Sequence, residues 1–310
     1  METLIQQLIN GLVIGSVYAL IALGYTMVYG ILGLINFAHG DVLMVGALTA
    51  LQTMMFLMGV APGMSPIYML TIALMVAIPV CMTLGFLMER LAYRRLRNAP
   101  RLAPLITAIG MSFLLQTIAM IIWGRNYHTF PQLISTTPLQ PIEGVFITPV
   151  QVIIIVASAA IMIGLSLLVT RTRIGRAMRA TAENHRVASL MGVDTNAIIA
   201  FTFVVGAALA AVAGVMYASN YGIAHYGMGF MPGLKAFTAA VLGGIGNLGG
   251  AMLGGIMLGL VESFGAGYIE HLTFGFLNSS YQDIFAFIIL GLVLIFKPTG
   301  LLGERVSDRA

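Results

Sequence analysis

From residue 4 to residue 59 the chain reads LIQQLINGLVIGSVYALIALGYTMVYGILGLINFAHGDVLMVGALTALQTMMFLMG, with Asp41 as its single charged side chain. Crossing the hydrocarbon core of a bilayer takes about 20 predominantly apolar residues in a helix, so this stretch has room for two crossings. The pattern continues beyond it. Of 310 residues, 59% are hydrophobic and 8% are charged, against about 25% charged in a soluble domain. That balance excludes an ordinary soluble globule, a disordered chain and a nucleic-acid binder. Further apolar runs fall at 66–88, 102–123, 150–170, 198–220, 234–262 and 283–297. With 4–30 and 40–59 they make about eight membrane segments. The expected fold class is all-α, a polytopic transmembrane helical bundle, with residues 1–310 forming a single transmembrane domain.

The charges orient the spans. The sequence has 13 Arg and two Lys, for a formal net charge of +4. Ten of the arginines sit in two clusters, Arg90–Arg101 and Arg171–Arg186. Such clusters mark the cytoplasmic side. Two spans and the polar loop 124–149 separate them, one span out and one back, so both clusters fit on one side. Counting backwards puts the N-terminus outside, and the polar tail after Lys297-Pro298 puts the C-terminus in the cytoplasm. No basic residue precedes Arg90, so the N-terminal run lacks the positive region of a cleavable signal and is expected to remain as a span. The single cysteine, Cys81, leaves neither a disulfide framework nor a cysteine metal cluster.

Two stretches do not read as clean helices. One is Gly30-Ile31-Leu32-Gly33-Leu34-Ile35-Asn36-Phe37-Ala38-His39-Gly40-Asp41, the other Gly243-Gly244-Ile245-Gly246-Asn247-Leu248-Gly249-Gly250. Each glycine costs a helix about 1 kcal/mol relative to alanine. Broken backbone at membrane depth survives only inside protein or beside a watery cavity. The 234–262 run also has the charge logic of a re-entrant hairpin, followed by an external loop at 263–282. Both breaks contain Gly-x-x-Asn, which reads either as an internal repeat with a translocation site at its interface or as a chance match between glycine-rich sequences.

Polar groups inside the apolar runs are Asn36, His39, Asp41, Asn247 and Glu262. A charge at the bilayer centre costs about 2.5–3.5 kcal/mol on insertion scales and is a functional candidate. For Asp41 the favoured reading is milder: a carboxylate at the membrane–cytoplasm boundary, capping the 40–59 helix. His39 could pair with it. Gly206, Ala210, Gly214 and Ala218 recur every four residues in the 198–220 helix, a face suited to close helix packing. The 21 methionines read as flexible apolar filler.

The most informative polar stretch is 171–196. Gly175 to Asn184 reads as a short cytoplasmic helix, with Arg179 and Glu183 spaced to pair on one face and Ala177, Ala180 and Ala182 leaving part of it smooth. Leu190, Met191, Gly192 and Val193 add an apolar knob and a turn. A short helix lying across the ends of spans suits docking into a partner's groove; the bland alternative is a solvated basic loop. No Gly-Lys dipeptide occurs, so there is no P-loop. His-Glu-x-x-His, Gly-x-Ser-x-Gly and paired-cysteine motifs are also missing, which leaves no catalytic, metal or cofactor-binding residues to nominate.

Gly24-Tyr25-Thr26-Met27-Val28-Tyr29-Gly30-Ile31 and Leu34–Asp41 resemble the permeases of branched-chain amino acid ABC importers, LivH type. Ala108–Ser112, Gly175–Asn184, Ala188–Gly192, Lys235–Gly246 and Lys297–Gly303 continue the resemblance nearly end to end; loops 52–66, 124–149 and 263–282 carry it least. The resemblance implies a non-enzymatic pore subunit in a bacterial inner membrane, embedded in lipid and paired with a LivM-type permease. Two cytoplasmic ATPase subunits would bind the ATP and magnesium, and a periplasmic binding protein would deliver substrate to the external loops. Gly175, Arg176, Arg179, Ala182, Glu183, Leu190 and Gly192 would form the ATPase-coupling segment. Asn36, His39, Asp41, Gly243, Gly246 and Asn247 would line or gate the path, with Asn36, Asn247 or helix-end backbone groups meeting the substrate's zwitterion. Cargo alternatives within this class are urea, short amides and other neutral amino acids. Rivals from other classes are a secondary transporter coupled to protons through Asp41, His39, Glu262 or Asp283, and a membrane-embedded enzyme built on Asn36–His39–Asp41.

Overall fold

A computed structural model describes residues 2–97, 99–100, 102–134, 137–142, 144–273 and 281–303. Arg101 of the first basic cluster, residues 274–280 of the expected external loop and the last seven residues of the tail lie outside it.

Helix α1 (Glu2–Leu32) is followed by α2 (His39–Val60) and α3 (Pro66–Leu87). The helical path of α3 continues through a π-helical turn, Met88–Tyr93, into the short α4 (Arg94–Leu96). Then come α5 (Leu102–Trp123), α6 (Pro149–Arg171), α7 (Arg173–Glu183), α8 (His185–Leu190) and α9 (Thr195–Tyr221). The chain closes with α10 (Phe230–Gly243), α11 (Leu248–Leu272) and α12 (Gln282–Phe296). Among the described residues seven helices are long and apolar enough to cross a membrane, and α10 and α12 are shorter apolar helices. The strands are minor. β1 (His128–Thr129) pairs antiparallel with β4 (Ile223–Ala224), and β2 (Leu139–Ile142) with β3 (Val145–Ile147).

The bundle is built around α1. Its most apolar stretch is 89% buried, against 22% for the α3–α4 path and for α5, so α1 is the core and those two helices form the outer wall. Glycine permits the closest contacts. A methyl group on Gly15 would overlap the backbone of Ile256, and one on Gly255 the backbone of Ala19, so α1 and α11 touch backbone to backbone. The small face of α9 does the same. Gly206 lies against Gly24 of α1, Gly214 has no room for a side chain beside Leu43 of α2, and Ala210 and Ala218 are fully buried.

Helix ends follow local chemistry. Thr148 and Gln151 form a capping box at α6, while Thr172, Asn184, Asp194 and Asn247 cap α7, α8, α9 and α11 with their side chains. The starts of α2 (N-cap Ala38) and α10 (N-cap Gly229) carry no side-chain cap. Both begin inside the protein, where the backbones of Gly40 and Gly229 touch.

The 234–262 run is broken at its glycines, as expected. It holds α10, whose 14 residues rise only about 21 Å, then a break at Gly244–Asn247, then the 25-residue α11. The helix runs on to Leu272, so much of the expected external loop 263–282 is helical.

Candidate functional site

The two glycine breaks meet. Gly30 lies against Gly246, and a small cavity between them is walled by Thr26, Met178, Arg179 and Ala182, so α7 sits directly beneath both. Gly33 and Gly244 do the same work, each following a helix with positive φ, +63° and +106°. The asparagines three residues later do not. Asn247 accepts from Gly250 N (3.0 Å) and donates to Leu302 O (2.9 Å), capping α11 and pinning the tail. Asn36 accepts from the Tyr93 hydroxyl at 2.7 Å. Gly243 packs its backbone on Gly250.

Asp41 corrects the boundary reading. It is 1% exposed, the cap position belongs to Ala38, and its Oδ1 accepts from Gln116 Nε2 at 2.9 Å. Gln116 lies about 21 Å along α5 from Leu102, so Asp41 is deep in the bundle. His39 does not turn toward it. Its ring stands edge-on to Tyr25 with centroids 4.9 Å apart, packs against Gly24 and keeps Nε2 buried without a hydrogen-bond partner.

Beside Asp41 opens a cavity of about 480 Å³, lined by Tyr25, Phe37, Ile109, Ser112, Phe113, Gln116, Phe230 and Leu234. Pockets of this size and mostly apolar lining, with a few placed polar groups, are typical small-molecule sites. The polar edge is Ser112, Gln116 and the Tyr25 hydroxyl, which reaches the Gly40 amide and Gly233. Both uncapped helix starts flank it, presenting the positive ends of their dipoles.

At the arginine-rich end, Gly175 has no space for a side chain beside the Val169 carbonyl, so α7 folds tightly back under α6. Arg179 donates to that carbonyl, while Arg176, Ala182 and Glu183 are exposed. Gly192 takes positive φ in the turn after α8. Leu190 and Met191 stand 85% and 80% exposed. Burial pulls the Arg97 guanidinium below its ordinary value, and Glu89 beside it acts the other way. At the opposite end Gln6 exchanges two hydrogen bonds with Phe146. Burial also lowers the His225 imidazole, whose Nδ1 accepts from Gly227 N.

A cluster that motif reading missed joins four helices. Lys235, 6% exposed, bonds Glu262 at 2.5 Å and Asp283 at 2.6 Å, and Tyr18 donates to Glu262 at 3.0 Å. Two of the residues named for proton coupling thus share one lysine. The available signal was that lysine's rarity: it is one of two, inside an apolar run. Tyr25, Tyr93 and Gln116 gave no such signal.

A family model described as branched-chain amino acid transport system / permease component matches residues 7–294. The chain is 48% identical over 308 residues to the high-affinity branched-chain amino acid transport system permease protein BraD of Pseudomonas aeruginosa, covering 98% of this chain and 97% of that one. It is 44% identical over 311 residues to the permease protein LivH of Escherichia coli, with the same coverage. A probable LivH of Methanocaldococcus jannaschii is 28% identical, covering 95% of this chain and 91% of that one.

Proposed function

Because this chain belongs to the branched-chain amino acid transport system permease family, we propose that it is the pore-forming permease subunit of an ATP-driven importer for leucine, isoleucine and valine. The observation that carries the reading is the cavity beside Asp41. Phe37, Ile109, Phe113, Phe230 and Leu234 give a branched aliphatic side chain an apolar wall. The two helix starts at Gly40 and Phe230 attract the carboxylate. Gln116, Ser112 and the Asp41 carboxyl receive the ammonium. This replaces Asn247 as a substrate contact, since its amide holds the tail.

The arginine-rich end faces the cytoplasm, following the positive-inside rule, and the C-terminal Leu301–Gly303, packed on Leu242–Gly244, lies on that side. The whole chain, 1–310, acts as one permease domain. The cavity opens at Ile109, Phe113 and Phe230, which are 43%, 65% and 56% exposed, and a second, LivM-type permease completes its wall. Leu190 and Met191 on the corner after α8, together with α7, seat on a partner ATPase, which binds the ATP and magnesium. The β1–β4 and β2–β3 end receives a periplasmic binding protein.

The test is a pull-down of the tagged chain from its native membrane, with an ATPase assay. Two ATPase chains and a second permease should co-purify, and a leucine-loaded binding protein should stimulate hydrolysis. Recovery of the chain alone, folded, would overturn the reading. Stimulation by a urea- or amide-loaded binding protein instead would reassign the cargo.

A further inference from the structure

A second cavity, about 780 Å³, lies at the arginine-rich end, walled by Gly33, Leu34, Arg94, Arg97, Pro104 and Asn196 among others. It and the cavity beside Asp41 stack along α5. Pro104 lines the inner one and Ile109 the deeper one, five residues or about 8 Å apart along the axis. The strap Gly33–Ala38 crosses that interval. Gly33 and Leu34 face the inner cavity and Phe37 the deeper one.

The strap is tied at its ends, by Gly33 N to Tyr29 O and His39 N to Asn36 O. A side chain from another helix also holds it: Tyr93, 1% exposed, donates to Asn36, 4% exposed. Tyr93 closes the π-helical turn Met88–Tyr93, and such turns inside helices are frequent at functional sites. The same turn carries Glu89, fully buried and ion-paired with Arg94 (2.8 Å) and Arg97. Arg97 Nη1 also donates to Asn196 Oδ1 at 2.6 Å. Asn196 lies in the first turn of α9, five residues after Met191 in the α8 corner.

We propose that Tyr93 and Arg97 are positioning residues of an inner gate, in which Tyr93 latches the Asn36 strap shut and Arg97 carries movement of the α8–α9 corner to that latch. The inference rests on the permease reading above. A buried carboxylate cannot cheaply part from its cations, so Glu89 and the π turn move with Arg97. Passing one residue out of the π turn would rotate Tyr93 by about 100°, which breaks its bond to Asn36 and frees the strap.

The experiment uses the complete complex, with both ATPases and the partner permease, in liposomes loaded with labelled leucine. Tyr93→Phe and Asn36→Ala each raise ATP-independent leucine leak about five-fold, the scale of one lost hydrogen bond. The double variant leaks no more than the leakier single one, because both remove the same bond. Asn196→Ala has the opposite signature: hydrolysis and leak unchanged, leucine moved per ATP reduced. General destabilisation would not separate the two readouts. Wild-type complex that moves no leucine with ATP would sink the permease reading itself. Wild-type transport with both latch variants tight, or with additive leaks, would overturn the gate alone. If Tyr93→Phe fails to assemble, Asn36→Ala decides by its leak.

Discussion

Lys235 shows what a single side chain does here. Its ammonium sits between Glu262 and Asp283 and ties α10 to α11 and α12. Removing one partner of a buried ionic cluster costs about 3–5 kcal/mol, whereas replacing the whole cluster by neutral groups is often tolerated. Lys235→Met should therefore lower the thermal unfolding midpoint in detergent markedly, and Lys235→Met combined with Glu262→Gln and Asp283→Asn should recover most of it. A second residue-scale prediction concerns the cavity beside Asp41. Leu234→Trp fills space there and should abolish leucine uptake while partner subunits still co-purify. Sequence reading found Asp41 and misplaced it. A carboxylate after glycine at the head of an apolar helix has the local look of a boundary cap. What contradicts that is Gln116, contributed by a helix 75 residues away, and no local pattern carries such a contact.

At the scale of elements, the glycine breaks were legible because a helix end needs a residue that tolerates positive φ, and Gly33 and Gly244 supply it. The second of them also split the 234–262 run in two, but the extension of α11 to Leu272, past the expected loop boundary at 263, was not legible. The π turn left no sequence mark at all. The short helix expected at Gly175–Asn184 is α7, Arg173–Glu183, readable from its flanking Thr172 and Asn184, each a side-chain cap. Its neighbour α8 ends on Leu190 with Met191 as its C-cap, both more exposed than the apolar side chains of the outer helices. Leu190→Asp with Met191→Asp should change unfolding stability by no more than about 0.5 kcal/mol, as for surface changes, and abolish co-purification of the ATPase.

The whole molecule has two unlike ends. The described arginines of both clusters, the meeting of the two breaks and the tail at Leu301–Gly303 gather at one; the strand pairs and the start of α1 lie at the other. Charge counting anticipated this polarity because loop arginines are read by the membrane itself and need no tertiary knowledge. In a Cys81→Ala background, Arg95→Cys, exposed and away from the ATPase seat, should react with an impermeant thiol reagent only from the cytoplasmic side, and Thr129→Cys, also exposed, only from outside. The reverse pattern would invert the path described above.

The most direct measurement of the central claim is leucine uptake by liposomes holding the full complex and binding protein, comparing enclosed ATP with an imposed proton gradient. ATP-dependent uptake that ignores the gradient is the predicted result. Uptake that follows the proton gradient and persists without the ATPase chains would contradict it.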